Sequence, residues 1–90
     1  MANANGPVER INLGFVSVSI WRNAVSREDG TERFFLSATP ARNYRDGRGE
    51  WASSHSFTVS EMPTAIAAMK LALAYMVERE GYASAREDVQ

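Results

Sequence analysis

Three stretches between Ile11 and Val59 alternate apolar with mostly small polar residues, and the next stretch, Met62 to Val77, is apolar on nearly every side with Lys70 as its one charge. Alternation with a period of two is the signature of half-buried strands, and the apolar stretch carries the spacing of a helix. Strands followed by a single helix predict an α+β fold: a curved antiparallel meander of three to four strands, packed by its inner face on one C-terminal helix. The outer face is then left with serines, threonines, aromatics and arginines.

The first stretch, Ile11 to Trp21, places Val16, Val18 and Ile20 on one face and Phe15, Ser17, Ser19 and Trp21 on the other. Gly14 marks a bend or bulge, and a fourth strand results if the segment before it pairs separately. Residues 23–31 read as a polar loop, with Asp29-Gly30 as its turn signal. The second strand, Arg33 to Tyr44, sets Phe34, Leu36, Ala38 and Pro40 against Phe35, Ser37, Thr39 and Ala41. Pro40 cannot donate a ladder hydrogen bond and belongs at an edge or a bulge; a bulge would leave the facing of Arg42 and Tyr44 open. After the turn at residues 45–49 the third strand, Trp51 to Val59, points Phe57 and Val59 inward and Ala52, Ser54, Ser56 and Thr58 outward.

Ser60 is placed to cap a helix with Glu61 and Pro63 in its first turn, running to about Glu80 and stopping at Gly81. Met62, Ile66, Met69, Leu73 and Met76 follow the spacing of a buried stripe. Ala65, Ala68, Leu71, Ala72 and Tyr75 cover much of the rest. A helix apolar all round must be buried on more than one side, so this second face is expected to meet a copy of itself in a two-fold homodimer.

Ninety residues make one small domain, for which a second subunit adds useful burial. Residues 1–10 read as a flexible N-terminus, 11–80 as the folded domain and 81–90 as a flexible tail. No cysteine is present, no signal-peptide core opens the chain, and no apolar run is long enough to span a bilayer. A soluble protein of the cytoplasm or nucleoid, with no membrane partner, is expected. The net charge is −1, but from Arg10 to Glu50 seven arginines meet five carboxylates, whereas from Glu61 onward three cations meet five. The strand region is mildly basic and the helix end acidic.

His55 is the only histidine, flanked by serines with no activating turn, and the glycines at 47 and 49 lack the lysine-serine sequel of a phosphate loop. No metal-ligand cluster appears. A non-enzyme without cofactor or metal is expected. The outer face instead combines the rings of Phe15, Trp21 and Phe35 with hydroxyls and cations, the mixture that binds single-stranded nucleic acid.

Phe15-Val16-Ser17-Val18-Ser19, the turn Tyr44-Arg45-Asp46-Gly47-Arg48-Gly49-Glu50-Trp51 and Phe57-Thr58-Val59-Ser60 resemble, in order and spacing over residues 11–80, the first strand, the aromatic-x-Asp-x-x-Gly-Glu-apolar turn and the helix start of the single-stranded-DNA-binding transcriptional coactivators of the positive cofactor four type and their small bacterial and phage relatives. The resemblance implies a helix-mediated dimer that binds single-stranded DNA or RNA as a transcription or replication accessory factor. It implies that Tyr44 stacks on a base and that Arg22, Arg33, Arg45 and Arg48 contact phosphates. Phe15, Ser17, Trp21, Phe35, Arg42 and Trp51 complete the expected site. The chain departs from the family in its serine-rich Ala52-Ser53-Ser54-His55-Ser56, where relatives carry a basic segment. A dimeric module that uses the same face to bind a protein partner is the alternative reading.

Overall fold

The computed structural model describes residues 6–80. Four antiparallel strands, β1 (Glu9–Leu13), β2 (Val16–Ser26), β3 (Glu32–Arg45) and β4 (Trp51–Ser54), lie in sequence order in one sheet, and one helix, α1 (Met62–Glu80), follows. Residues 1–5 and the tail 81–90 lie outside the described residues. The segment before Gly14 is the fourth strand, and it begins at Glu9.

Gly14 and Phe15 form a two-residue hairpin loop, because Leu13 pairs directly with Val16. Gly14 has φ +58°, and positive φ at the first loop residue is the geometry that fits the twist of a tight hairpin. β2 and β3 then pair without interruption from Val16↔Arg42 to Ser26↔Glu32. The strands therefore run farther than the polar composition of residues 23–26 predicts, and only Arg27 to Thr31 is loop. Asp29 organises that loop by accepting the Thr31 backbone N–H at 3.0 Å and its hydroxyl at 2.6 Å. The long hairpin extends past the body of the domain, whose greatest dimension is 52 Å.

Pro40 sits in this ladder without a bulge. The Asn43 N–H donates to the Phe15 carbonyl, and the Arg27 N–H to the Thr31 carbonyl, so the odd-numbered positions of β3 carry the hydrogen-bonded rungs to β2. Pro40 falls on an intervening rung, with its ring nitrogen turned toward the other edge. That edge belongs to β4, and pairing there stops at Arg42↔Ser54, two rungs short of Pro40. The Pro40 carbonyl accepts instead from His55 Nδ1 at 2.8 Å, and the Ser56 N–H turns back onto Ser54 Oγ at 3.1 Å. β4 is thus four residues long rather than reaching Val59. Its Ala52 and Ser54 share a face with Tyr44 and Arg42, on the helix side, and are not outward as alternation from Phe57 predicts. Phe57 does pack against the core, but Val59 is 89% exposed.

A turn starting at Thr58 leads into the helix, whose first helical residue is Met62. The Met62 N–H donates to the Thr58 carbonyl at 3.0 Å, and Glu61 Oε1 accepts the Thr58 backbone N–H at 2.9 Å. This is the carboxylate half of a capping box, made on Thr58, while the Glu61 N–H donates to the Thr58 backbone carbonyl at 3.0 Å.

The core joins Val16, Val18 and Ile20, all fully buried, to Ala65, Ala68 and Ala72. Burial of each branched side chain contributes about 1.5–3 kcal/mol. This reverses the expected orientation of α1: the alanine face meets the sheet, whereas Met62, Ile66, Met69 and Leu73 are exposed and only Met76 of the predicted stripe packs inward. Sheet side chains this large fill the interlayer space by themselves, so the helix docks through small residues, and a second layer of bulky ones would overfill the space.

Candidate nucleic-acid interface

Residues paired across antiparallel strands share a face, so the register defines the outer surface. It carries Arg10 and Asn12 from β1; Ser17, Ser19, Trp21, Asn23 and Val25 from β2; Arg33, Phe35, Ser37, Thr39, Ala41, Asn43 and Arg45 from β3; and Trp51 and Ser53 from β4. Phe15, in the β1–β2 loop, continues this parity at the end of the face, bordering Asn43 and Trp51, while being partly buried against the core. Four aromatic rings, three arginines and a band of hydroxyls share this face, and none of its strand positions is a carboxylate; Glu9 and Glu32 fall on the opposite parity. The mild excess of cations in the strand region is thereby concentrated on one side.

Two carboxamides tie the strands together on that surface. Asn43 Nδ2 donates to Ser17 Oγ, and Asn23 Nδ2 donates to Ser37 Oγ at 3.0 Å. Both bridge β2 and β3 and limit the freedom of the hydroxyls. Arg10, Asn23 and Asn43 were not among the residues predicted for the site, although their parity with Ser17 and Trp21 would have found them once the register was known.

At the β4 end, the Arg45 guanidinium lies over the Trp51 ring, 4.7 Å from its centroid, and Arg45 Nη1 donates to the Gly49 carbonyl at 2.7 Å. The turn beneath is built by Asp46, whose Oδ1 accepts the backbone N–H groups of Arg48 and Glu50 at 2.9 and 3.0 Å. Gly49 takes φ +81°, which explains an Asp and a Gly at this spacing. Trp51 is 68% exposed and, with Gly14, Phe15 and Asn43, lines a cavity of about 560 Å³.

Several residues expected to join these lie elsewhere. Arg22, Arg42 and Tyr44 have the opposite parity and occupy the helix side of the sheet. Arg22 stacks on Phe34 at 3.8 Å. Arg42 stacks on Tyr44 at 4.9 Å, while its Nε lies 3.3 Å from Glu61 Oε1 and 3.3 Å from the Ser56 carbonyl. Arg42 therefore anchors the start of the helix. The Thr58 backbone N–H, and to a lesser degree its hydroxyl and Arg42, hold the Glu61 carboxyl below the usual carboxylate range against some desolvation. Arg48 stands in the β3–β4 turn, beside the outer face rather than on it. Ser17, Trp21, Arg33, Phe35, Arg45 and Trp51 lie on the outer face, spread along the length of β3 from the hairpin tip to the β3–β4 turn, with Phe15 at its border.

The residues expected at a subunit contact are also redistributed. Ala65, Ala68 and Ala72 are covered by the chain's own sheet, and Tyr75 is half-buried against the core beneath Arg79, 3.8 Å from its ring centroid. Leu71 is exposed, as are Met62, Ile66, Met69 and Leu73.

No helix among the described residues is long and apolar enough to cross a membrane. Comparison with protein-family models, with curated proteins and with solved structures finds no match.

Proposed function

We propose that this protein binds single-stranded nucleic acid, DNA or RNA, across the outer face of its sheet and acts as an accessory factor in transcription or replication. The observation that carries the reading is the gathering of Phe15, Trp21, Phe35 and Trp51 with Arg10, Arg33 and Arg45 on strand positions that include no carboxylate. Rings supply stacking surfaces of about 1–3 kcal/mol per base, arginines neutralise phosphates, and Ser17, Ser19, Ser37 and Thr39 offer hydroxyls to the backbone. The resemblance to the coactivator family points the same way, with Trp51 and Phe15 taking the stacking role that the resemblance gives Tyr44.

The protein acts as a homodimer in this reading. A second copy covers the exposed stripe of Met62, Ile66, Met69 and Leu73, since so much contiguous apolar surface is unusual on a small soluble monomer. Labelled single-stranded and duplex oligonucleotides, titrated at two salt concentrations and followed by fluorescence anisotropy, test the function. Salt-sensitive preference for the single strand is expected; silence toward both at low salt would replace it with the protein-interaction reading.

A further inference from the structure

We propose that the cavity between Phe15 and Trp51 is a pocket for one unstacked nucleobase, whose hydrogen-bonding edge meets the Asn43 carboxamide; this rests on reading the outer face as a single-strand interface. The pocket unites parts that are far apart in sequence. Gly14 and Phe15 come from the β1–β2 loop, Asn43 from β3 and Trp51 from β4, and together they line about 560 Å³. That volume lies within the range of small-ligand pockets. The Asn43 N–H to Phe15 carbonyl bond, 2.8 Å, fixes the loop against the strand. No side chain blocks the Gly14 corner, where even an added Cβ would meet nothing within 4 Å.

Two aromatic walls make the pocket suited to a flat ring. Trp51 contributes nothing to the core, yet Arg45 holds its ring from one side. The same guanidinium brings positive charge to the rim, where the phosphate of an inserted nucleotide would lie. No carboxylate lines the cavity. Asn43 adds selectivity. Its amide is oriented by donating one N–H to Ser17 Oγ, which leaves its carbonyl oxygen as an acceptor and a second N–H as a donor. Single-stranded bases are recognised in this way, stacked on rings and read on their edges by side-chain hydrogen bonds.

The test uses the full chain with Trp21→Phe, which leaves Trp51 as the sole tryptophan. Short oligo-dA, oligo-dC and oligo-dT and an abasic strand of equal length are titrated while Trp51 emission and anisotropy are followed. Base-bearing strands are expected to quench Trp51 and to bind about 5- to 100-fold more tightly than the abasic strand. In the wild-type background, Trp51→Ala, at an exposed position where folding is not at risk, is expected to reduce that advantage, with the remainder carried by Trp21 and Phe35, and to leave abasic binding unchanged. Phe15→Ala should act likewise with some loss of stability, because its ring also packs against the core, and Asn43→Ala should level the differences among the three homopolymers while circular dichroism stays that of wild type. An unchanged preference in Trp51→Ala overturns the pocket and leaves the outer-face interface standing, whereas equal affinity for abasic and base-bearing strands overturns the pocket and the stacking role of the outer rings together. Absence of binding to every strand overturns both.

Discussion

The carboxylate of Glu80, in the last turn of α1, accepts the backbone N–H of Leu36 across 2.9 Å. Leu36 lies on a β3 rung whose N–H points away from β2, and β4 is too short to reach it. One helical side chain thus satisfies an otherwise open strand edge and fixes the end of the helix to the middle of the long hairpin. Open edges invite pairing with other chains, and a carboxylate at the edge opposes that pairing.

Glu80→Ala should therefore destabilise the domain by about 1.5–2 kcal/mol, the lower part of the range for a hydrogen bond to a charged group, because the site is only partly buried. The change is read in the denaturant midpoint. Hydrogen exchange at the Leu36 amide should accelerate more than at the neighbouring ladder amides, and equal acceleration throughout β3 would show that Glu80 acts only on global stability.

The two faces of α1 should respond oppositely to substitution. Ala68→Leu forces extra volume between helix and sheet and is expected to cost about 1–3 kcal/mol. Leu73→Glu or Ile66→Glu should leave the fold intact and abolish self-association, because a charge in a closed apolar contact is costly whereas the same charge in water is not. Sedimentation velocity of wild type and variants decides the matter; a wild type that stays monomeric at micromolar concentration sinks the proposed dimer.

Acid sensitivity should trace in part to Glu61. Its folded pKa is depressed, chiefly by the Thr58 N–H, so its contribution to stability is present above the unfolded carboxyl pKa of about 4.3 and is lost as pH falls through the lower folded value. Asp29, depressed by its bonds to Thr31, acts in the same direction at the hairpin tip. Glu61→Gln should lower stability at neutral pH and flatten its decline below about pH 4.3. Denaturant midpoints measured between pH 3 and pH 7 check the slope.

The faces of the sheet give a further contrast. If Arg10, Arg33 and Arg45 each neutralise one phosphate, log affinity for a single strand should fall with log salt at a slope of about −2 per protomer. Arg33→Ala or Arg45→Ala should flatten that slope by about 0.7, and Arg22→Ala, stacked on Phe34 on the helix side, should leave it unchanged. A slope that responds to Arg22 and not to Arg45 would move the binding surface to the other face.

Alternation determined the meander and the inner set Val16, Val18 and Ile20, since a period of two ties each residue to a face, but it ended β2 too early, ran β4 on to Val59 and put Ala52 and Ser54 on the wrong face. It likewise grouped Phe15, Ser17 and Trp21, and the apolar run after Thr58 could only be a helix. Register was beyond it. Whether Pro40 shifts the ladder depends on which edge its nitrogen meets, and that choice alone sends Arg42 and Tyr44 to the helix side and Asn43, Arg45 and Trp51 outward. The orientation of α1 was also decided in three dimensions. Both of its faces are apolar enough to be buried, so periodicity could not choose between them. The volume already filled by Val16, Val18 and Ile20 chose the alanines and left Met62, Ile66, Met69 and Leu73 in the open.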